Sequence, residues 1–146
     1  MDALAGSGRP LRPSIKIVED DPGVRRSMQL LFQGQGFDVR AYPSGEALLA
    51  DKKSGDPACM VVDYKLSGID GIALLELLRE SGWNSSAVLV TGFPSADLAQ
   101  RASDAGYALL FEKPLRERSL IEAVRRLAEG YGATPHSHSS SQDPSP

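Results

Sequence analysis

The sequence predicts an α/β protein in which a parallel β-sheet is covered by helices on both faces. Short β-branched and apolar runs alternate five times with longer segments of helical periodicity. The run at residues 59–63 is apolar until its last residue, which is typical of a strand buried on both faces of a sheet. This alternation favours a three-layer sandwich with right-handed crossovers between the strands.

The strands are predicted from apolar runs that stop at polar or turn-forming residues. They cover residues 15–18, 37–42, 59–63, 87–91 and 107–112. Because neighbouring strands in such a sheet are joined by long crossovers, the pattern alone leaves the strand order open.

The helices are predicted from caps and apolar stripes. Asp21 followed by Pro22 suits the N-cap and first position of the first helix, while Ser44 and Ser95 suit the N-caps of the second and fourth helices. Glycines after the first and third helices indicate where those helices end. The predicted inward residues are Val24, Met28 and Leu31, then Leu74, Leu77 and Leu78, then Ala99 and Ala102, then Leu120, Val124 and Leu127.

Composition indicates one globular domain that has no broad attraction to nucleic acid or membranes. The 146 residues are 41% hydrophobic and 24% charged, and the formal net charge is -3. No apolar run approaches the ~20 residues that span a bilayer, and the N-terminus lacks a signal-peptide core. We therefore expect a cytoplasmic protein without direct DNA binding. The single cysteine, Cys59, is interpreted as a buried apolar residue.

The predicted domain covers residues 14–130. Residues 1–13 are expected to form a flexible arm, and the Ser- and Pro-rich residues 131–146 a disordered tail. His136 and His138 in that tail are expected to be solvated rather than metal ligands. No basic recognition helix and no second core follow the last helix, so no output module is expected within this sequence, which is either a single-domain protein or a part of a longer one.

Polar side chains end four of the five predicted strands. Glu19 and Asp20 follow the first strand, Asp63 ends the third, Thr91 ends the fourth and Lys113 follows the fifth. Ligands of open α/β sheets bind outside the carboxyl ends of the strands, where these side chains would converge. One such residue alone is often a helix cap or a surface group, so the inference depends on the whole set.

The chemistry of this set is that of phosphoryl transfer. Three carboxylates in one crevice repel one another unless a cation joins them, and hard oxygen ligands favour Mg²⁺ or Mn²⁺. An ammonium and a hydroxyl are suitable partners for phosphoryl oxygens. A carboxylate can itself attack phosphorus and form an acyl phosphate.

The ordered set of motifs resembles the response-regulator receiver domain, and the segments TGF and FEKP are similar to its nitrogen-regulation and nitrogen-fixation branches. The resemblance covers about residues 14–130 and implies a (βα)5 flavodoxin-like fold with strand order 2-1-3-4-5. The motifs that carry it are Val18-Glu19-Asp20-Asp21, Asp63, Gly68-Ile69-Asp70-Gly71, Val90-Thr91-Gly92 and Glu112-Lys113-Pro114.

The resemblance also implies a role for each site residue. Asp63 would accept the phosphoryl group from a sensor histidine kinase or a histidine phosphotransfer protein. Metal ligands would be Glu19, Asp20, Asp63 and the backbone carbonyl of Lys65. Thr91 would bond a phosphoryl oxygen and act as a switch, Lys113 would pair with another oxygen, and the Lys113–Pro114 bond would be cis. Output would follow from protein contacts, including a possible homodimer, at the face of the fourth helix, fifth strand and fifth helix.

Three departures from the family pattern stand out. Leu110 occupies the switch position that usually holds Tyr or Phe, so coupling from Thr91 to that face could be weaker or differently routed. The loop after the phosphoacceptor reads Leu66-Ser67-Gly68 instead of Met-Pro-Gly. Lys65 and Phe93 occupy the two variable positions that tune phosphoryl lifetime in the family.

Other functions fit the sequence less well. A phosphatase of the aspartyl-phosphate type would need a second Asp at the position of Lys65. A flavin or nucleotide binder would need a Gly- or Ser/Thr-rich loop after the first strand, where this chain has acids. A receiver-like scaffold that no longer takes phosphate remains the alternative, which Leu110 leaves open. No enzymatic activity is expected beyond self-phosphotransfer and acyl-phosphate hydrolysis.

Overall fold

The fold is a five-stranded parallel sheet with helices on both faces, seen in a computed structural model that describes residues 12–130. The strands are β1 Ser14–Val18, β2 Asp38–Tyr42, β3 Cys59–Asp63, β4 Ser86–Thr91 and β5 Leu109–Glu112. The helices are α1 Pro22–Gly34, α2 Gly45–Ala50, α3 Gly71–Glu80, α4 Ala96–Ala105 and α5 Glu117–Glu129. The strand order is β2-β1-β3-β4-β5, which confirms the predicted fold class and order.

The two predicted terminal segments fall mostly outside the described part of the chain. Of the predicted arm only Arg12 and Pro13 are described, and the Pro13 carbonyl accepts a hydrogen bond from the Asp38 amide at 2.9 Å. The predicted tail at 131–146, with His136 and His138, lies outside the described residues. Within residues 12–130, no helix is both long and apolar enough to span a bilayer.

Four helices begin at a side-chain cap. In each, an oxygen of the capping residue accepts a hydrogen bond from the amide three residues later, at 2.8–3.0 Å. Asp21, Ser44 and Ser95 cap α1, α2 and α4 as predicted, and Asp70 caps α3. Each cap fixes where a helix begins after the loop that follows the carboxyl end of a strand, and the four caps thereby limit the paths of the loops around the candidate site.

The sheet separates two apolar clusters because successive residues of a strand face opposite sides. One cluster fills the space between the sheet and α1 with α5, and the other fills the space beneath α2, α3 and α4. All five residues of β3 are buried, as expected for the central strand. Cys59 belongs to the first cluster and is buried as predicted, and burial raises the pKa of its thiol to about 12.

Some predicted inward positions were wrong. Leu77 is 43% exposed and Val24 is 37% exposed, and Ala99 is exposed as well. The leucines of α3 cover nearly half of the circumference of the helix, so periodicity could not tell which of them lies at the exposed edge of this wide apolar face. Val24 lies at the carboxyl edge of the sheet, where it borders the candidate site instead of the core. The positions buried in their place are Phe32, Leu75 and Leu98.

Candidate functional site

Four strands deliver the predicted polar residues to one cavity at the carboxyl edge of the sheet. Glu19 and Asp20 follow β1, Asp63 and Thr91 end β3 and β4, and Lys113 follows β5. All five residues line a cavity of about 630 Å³. These residues, which lie up to 94 positions apart in the sequence, therefore meet in one cavity.

The centre of the cavity is an acidic cluster paired with one lysine. Carboxylate oxygens of Glu19, Asp20 and Asp63 lie within 4.8 Å of one another. The Lys113 Nζ donates to Asp63 Oδ2 at 2.9 Å and lies 3.4 Å from Glu19 Oε1. Glu19 and Asp63 are buried, whereas Asp20 is accessible to solvent. Lys113 thus compensates the two carboxylates that water reaches least.

The pKa shifts report this crowding of charge. Burial raises the pKa of Glu19, with a further contribution from Asp63, while the Asp21 amide at 3.1 Å and the charge of Lys113 oppose the rise. Burial alone would lower the pKa of Lys113, but its hydrogen bond and attraction to Asp63, together with Glu19, outweigh burial and raise it. The lysine is therefore held as a cation beside the acids.

The donor set fits a divalent cation. Three carboxylates converge on a space that a single ammonium only partly neutralises, and their hard oxygens match Mg²⁺ or Mn²⁺. Lys65 lines the same cavity, and its amide donates to Asp63 Oδ1 at 3.3 Å. The metal-ligand role of its carbonyl remains a prediction.

Ser67 belongs to the site and was missed by the sequence analysis. Its amide and its hydroxyl both lie 3.2 Å from Asp20 Oδ2 and donate to it. Proline, the usual residue at this position in the resemblance, has no N–H and could make neither contact. The presence of serine instead of proline at position 67 was therefore the signal that could have revealed this contact. The contact orients Asp20, the most accessible of the three acids.

The loop between β3 and α3 is held by a second acid that the sequence analysis did not identify. Glu46 Oε2 accepts a hydrogen bond from the Ile69 amide at 3.0 Å. Gly68 has φ +82° and lies directly against the Glu46 carboxylate. A side chain at Gly68 would be strained by this backbone conformation and would displace the Glu46 carboxylate, so the position strongly favours glycine.

Thr91 ends β4 and Leu110 lies in the neighbouring strand β5, and the switch role of both residues remains a prediction. Thr91 is buried; its Oγ1 accepts from the Phe93 amide at 3.1 Å, and its carbonyl accepts from the Lys113 amide at 2.8 Å. Leu110 is half-buried on the α4 side of β5. Phe93 is largely exposed at the rim of the cavity. The Lys113–Pro114 bond is cis, as the resemblance implies.

Comparison with known sequences identifies relatives over most of the chain. The sequence model of one protein family, the response regulator receiver domain, matches residues 15–125. The transcriptional regulatory protein FixJ of Azorhizobium caulinodans is 32% identical over 111 residues, which is 76% of this chain and 53% of that protein. Nodulation protein W of Bradyrhizobium diazoefficiens is 30% identical over 108 residues, 74% of this chain and 48% of that protein. The chain thus spans about half the length of these relatives.

Solved structures share this fold. The crystal structure of FixJ-N superposes with a TM-score of 0.76 at 29% identity, and the match covers 86% of this chain and all 100% of that one. A CheY-like receiver domain protein from Methanospirillum hungatei superposes with a TM-score of 0.78 at 23% identity, covering 83% and 97% of the two chains. The second match bears on the fold alone.

Proposed function

This chain belongs to the family of response regulator receiver domains, and we propose that it signals by accepting a phosphoryl group on Asp63. The observation that carries the proposal is the pairing of two buried carboxylates, Glu19 and Asp63, with the ammonium of Lys113 at the carboxyl edge of the sheet. The alternative of a scaffold that no longer takes phosphate is not favoured, because the acids and the lysine converge as that chemistry requires.

In the proposed reaction, a carboxylate oxygen of Asp63 bonds to phosphorus as the bond from phosphorus to a phosphohistidine nitrogen of the donor breaks. The electron pair of the broken bond stays on the imidazole nitrogen, and Asp63 becomes an acyl phosphate. Water later attacks the phosphorus and releases inorganic phosphate with the free carboxylate. The protein is a signalling protein, and this self-phosphotransfer and hydrolysis are the only reactions we assign to it.

Each neighbouring residue stabilises charge in this proposal. Glu19, Asp20, Asp63 and the carbonyl of Lys65 would hold Mg²⁺ or Mn²⁺, which when bound neutralises charge on the phosphoryl oxygens. Lys113, now 2.9 Å from Asp63 Oδ2, would pair with one phosphoryl oxygen. The Thr91 hydroxyl would turn from the Phe93 amide to donate to another.

We propose that the donor is a histidine kinase or a histidine phosphotransfer protein. A groove of about 560 Å³ adjoins the site and shares Asp21, Val24 and Lys113 with it. The groove supports a protein donor because its apolar side chains extend well beyond the phosphoryl site. These side chains are Val24, Met28, Leu31, Pro114, Leu115 and Leu120.

Output would be carried by the face formed by α4, β5 and α5. Movement of the Thr91 hydroxyl toward the phosphoryl group would free space beside β4, and Leu110 on β5 would respond. Leucine lacks the aromatic ring of the usual Tyr or Phe, so we propose that this response is a repacking of apolar contacts. Contacts to a downstream protein, or a homodimer, would form on this face.

The test is phosphorylation by a small donor. The protein is incubated with Mg²⁺ and acetyl phosphate, and its intact mass is measured. We expect a base-labile phosphoryl adduct that EDTA prevents and Asp63→Asn abolishes. Asp38→Asn, a matched change of an exposed acid at the start of β2, should leave the adduct unaffected. An adduct that persists in Asp63→Asn, or no adduct in the wild type, contradicts the proposal.

A further inference from the structure

Tyr107 is a buried tyrosine that links the α4–β5 connection to the start of α3. Sequence patterning placed it in the fifth strand, but β5 begins at Leu109, and Tyr107 precedes it. Its hydroxyl donates to the Gly71 carbonyl at 2.7 Å. Burial raises the pKa of its phenol, so the group remains a hydrogen-bond donor.

The backbone beside Tyr107 also has a hydrogen bond to α3. The Arg79 guanidinium donates to the Gly106 carbonyl at 3.3 Å and to the Trp83 carbonyl at 3.2 Å. Its side chain thereby joins the loop that follows α3 to the loop that follows α4. The Tyr107 ring thus extends from a connection that is itself fixed to α3.

Gly71, the acceptor of this hydrogen bond, lies directly against the backbone of Asp63. A Cβ built on Gly71 would lie 2.7 Å from the Asp63 carbonyl oxygen and 3.1 Å from Tyr64 Cα. The Gly71 amide also donates to the Tyr64 carbonyl at 2.9 Å. Only glycine permits such a close approach. Because of it, the first residue of α3 packs against the backbone of Asp63, the residue that we propose is phosphorylated.

We infer that Tyr107 is a positioning residue for the phosphoryl site, acting through Gly71 on the 64–71 loop. This inference rests on the proposed function of Asp63. The loop carries Lys65, whose amide contacts Asp63, and Ser67, which donates to Asp20. A phenol that fixes the base of this loop fixes the relative placement of the β1 and β3 acids. Tyr107 itself touches neither the acids nor a phosphoryl group.

Tyr42 provides a matched control. Its side chain lies in the same apolar cluster, is 8% exposed against 6% for Tyr107, and also donates one hydrogen bond, to Asp51 Oδ2 at 2.6 Å. Tyr42→Phe and Tyr107→Phe therefore each remove one phenol hydrogen bond and keep the ring. A purely structural role predicts similar consequences for both variants.

The experiment compares the wild type with these two variants in three measurements: the rate of adduct formation with acetyl phosphate, Mg²⁺ affinity by calorimetry, and hydrogen exchange across residues 64–71. We expect Tyr107→Phe to reduce the rate and the affinity about threefold to tenfold, the loss expected for one hydrogen bond. Exchange in the loop should become faster. Tyr42→Phe should leave the rate and the affinity within about twofold and loop exchange unchanged.

The outcomes separate the two proposals. Absence of an adduct in the wild type overturns the proposed function of Asp63. If the wild type forms the adduct but Tyr107→Phe matches Tyr42→Phe in rate, affinity and loop exchange, the phosphoryl site stands and the positioning role of Tyr107 is wrong.

Discussion

The two ends of the sheet each hold a lysine, and the lysines have opposite surroundings. At the carboxyl end, Lys113 faces the carboxylates of Asp63 and Glu19 at 2.9 and 3.4 Å. At the amino end, the buried Lys16 of β1 donates to Ser54 Oγ and the Gly55 carbonyl, each at 2.6 Å. Its Nζ also lies 4.9 Å from the centre of the Trp83 ring and 5.9 Å from that of Tyr42.

The pKa directions differ accordingly. The acids raise the pKa of Lys113 despite its partial burial. Burial lowers the pKa of Lys16, and the nearby charge of Asp51 only partly opposes this. Lys16 holds the segment after α2 to the sheet through neutral acceptors and aromatic faces. At the carboxyl (open) end, where carboxylates are crowded together, we propose that the lysine serves phosphoryl transfer. At the amino (closed) end, where its direct partners are neutral acceptors and aromatic rings, we expect the lysine to serve stability.

The largest expected effect is the loss of phosphoryl acceptance in Lys113→Met. Removal of the ammonium leaves the developing charge on the phosphoryl oxygens less stabilised, so the rate of adduct formation should fall about 100-fold or more. Acetyl phosphate labelling over time measures the rate. Lys16→Met, the same substitution at the other end of the sheet, should label at the wild-type rate. If the wild type, Lys113→Met and Lys16→Met were labelled at equal rates, the lysine at the carboxyl end would have no special role in phosphoryl acceptance.

The next effect concerns the cation at the open end. Asp20→Asn should weaken Mg²⁺ binding at least about tenfold, because a ligand charge is lost. It should also raise the free energy of unfolding without metal by up to about 1 kcal/mol, because the acids repel one another less. Calorimetric titration and urea denaturation measure these quantities. Asp21→Asn removes the same charge one residue later and keeps a helix cap, so it should change the affinity much less. A similar loss of Mg²⁺ affinity in both variants would mean that Asp20 acts through the net charge of the site and not as a metal ligand.

A smaller effect is expected at the closed end. Lys16→Met keeps the apolar stem and removes both hydrogen bonds, so the free energy of unfolding should fall by about 1–2 kcal/mol. The exposed Ser54 and Gly55 can then bond to water, which keeps the cost from being larger. Urea denaturation with and without Mg²⁺ measures the change, which should be the same in both conditions. A loss that Mg²⁺ reverses would show that Lys16 acts on the open end.

The smallest effect is a pH dependence. Between its lowered pKa and the ordinary value of 10.5, Lys16 binds fewer protons in the folded chain than in the unfolded chain. The ionisation of Lys16 should therefore make the free energy of unfolding of the wild type increase as the pH rises towards 10.5. Lys16→Met has no ionisable group at this position and should lack this increase. Urea denaturation of both proteins over a pH series gives the difference. A difference that shrinks with rising pH would mean that the pKa of Lys16 is raised.

Features set by neighbouring residues in the chain were predictable from the sequence. The caps Asp21, Ser44 and Ser95 act over three residues, and the run at 59–63 records the double burial of β3 within its own five residues. The convergence of Asp20, Asp63, Thr91 and Lys113 followed because the carboxyl ends of parallel strands share one edge. Strand order came from the resemblance and not from the pattern.

Contacts between residues that are distant in the sequence were not predictable. Ser67 meets Asp20 across 47 positions, Tyr107 meets Gly71 across 36, and Lys16 finds its acceptors 38 and 39 positions away. Such pairs depend on loop paths and on how helices seat on the sheet, which local periodicity does not encode. The wrong prediction that Leu77 faces the core has a related cause. The apolar face of α3 is wide, so the sequence gives little information about which of its residues are buried.

The most direct measurement of the central claim is the position of the phosphoryl group. Protein labelled with acetyl phosphate and Mg²⁺ is reduced with borohydride, which converts an acyl phosphate to the corresponding alcohol, and its peptides are sequenced by mass spectrometry. We expect the reduced residue to be Asp63, only when Mg²⁺ was present during labelling, with Glu19 and Asp20 unmodified. Labelling at another carboxylate, or labelling at Asp63 that needs no divalent cation, would contradict this expectation.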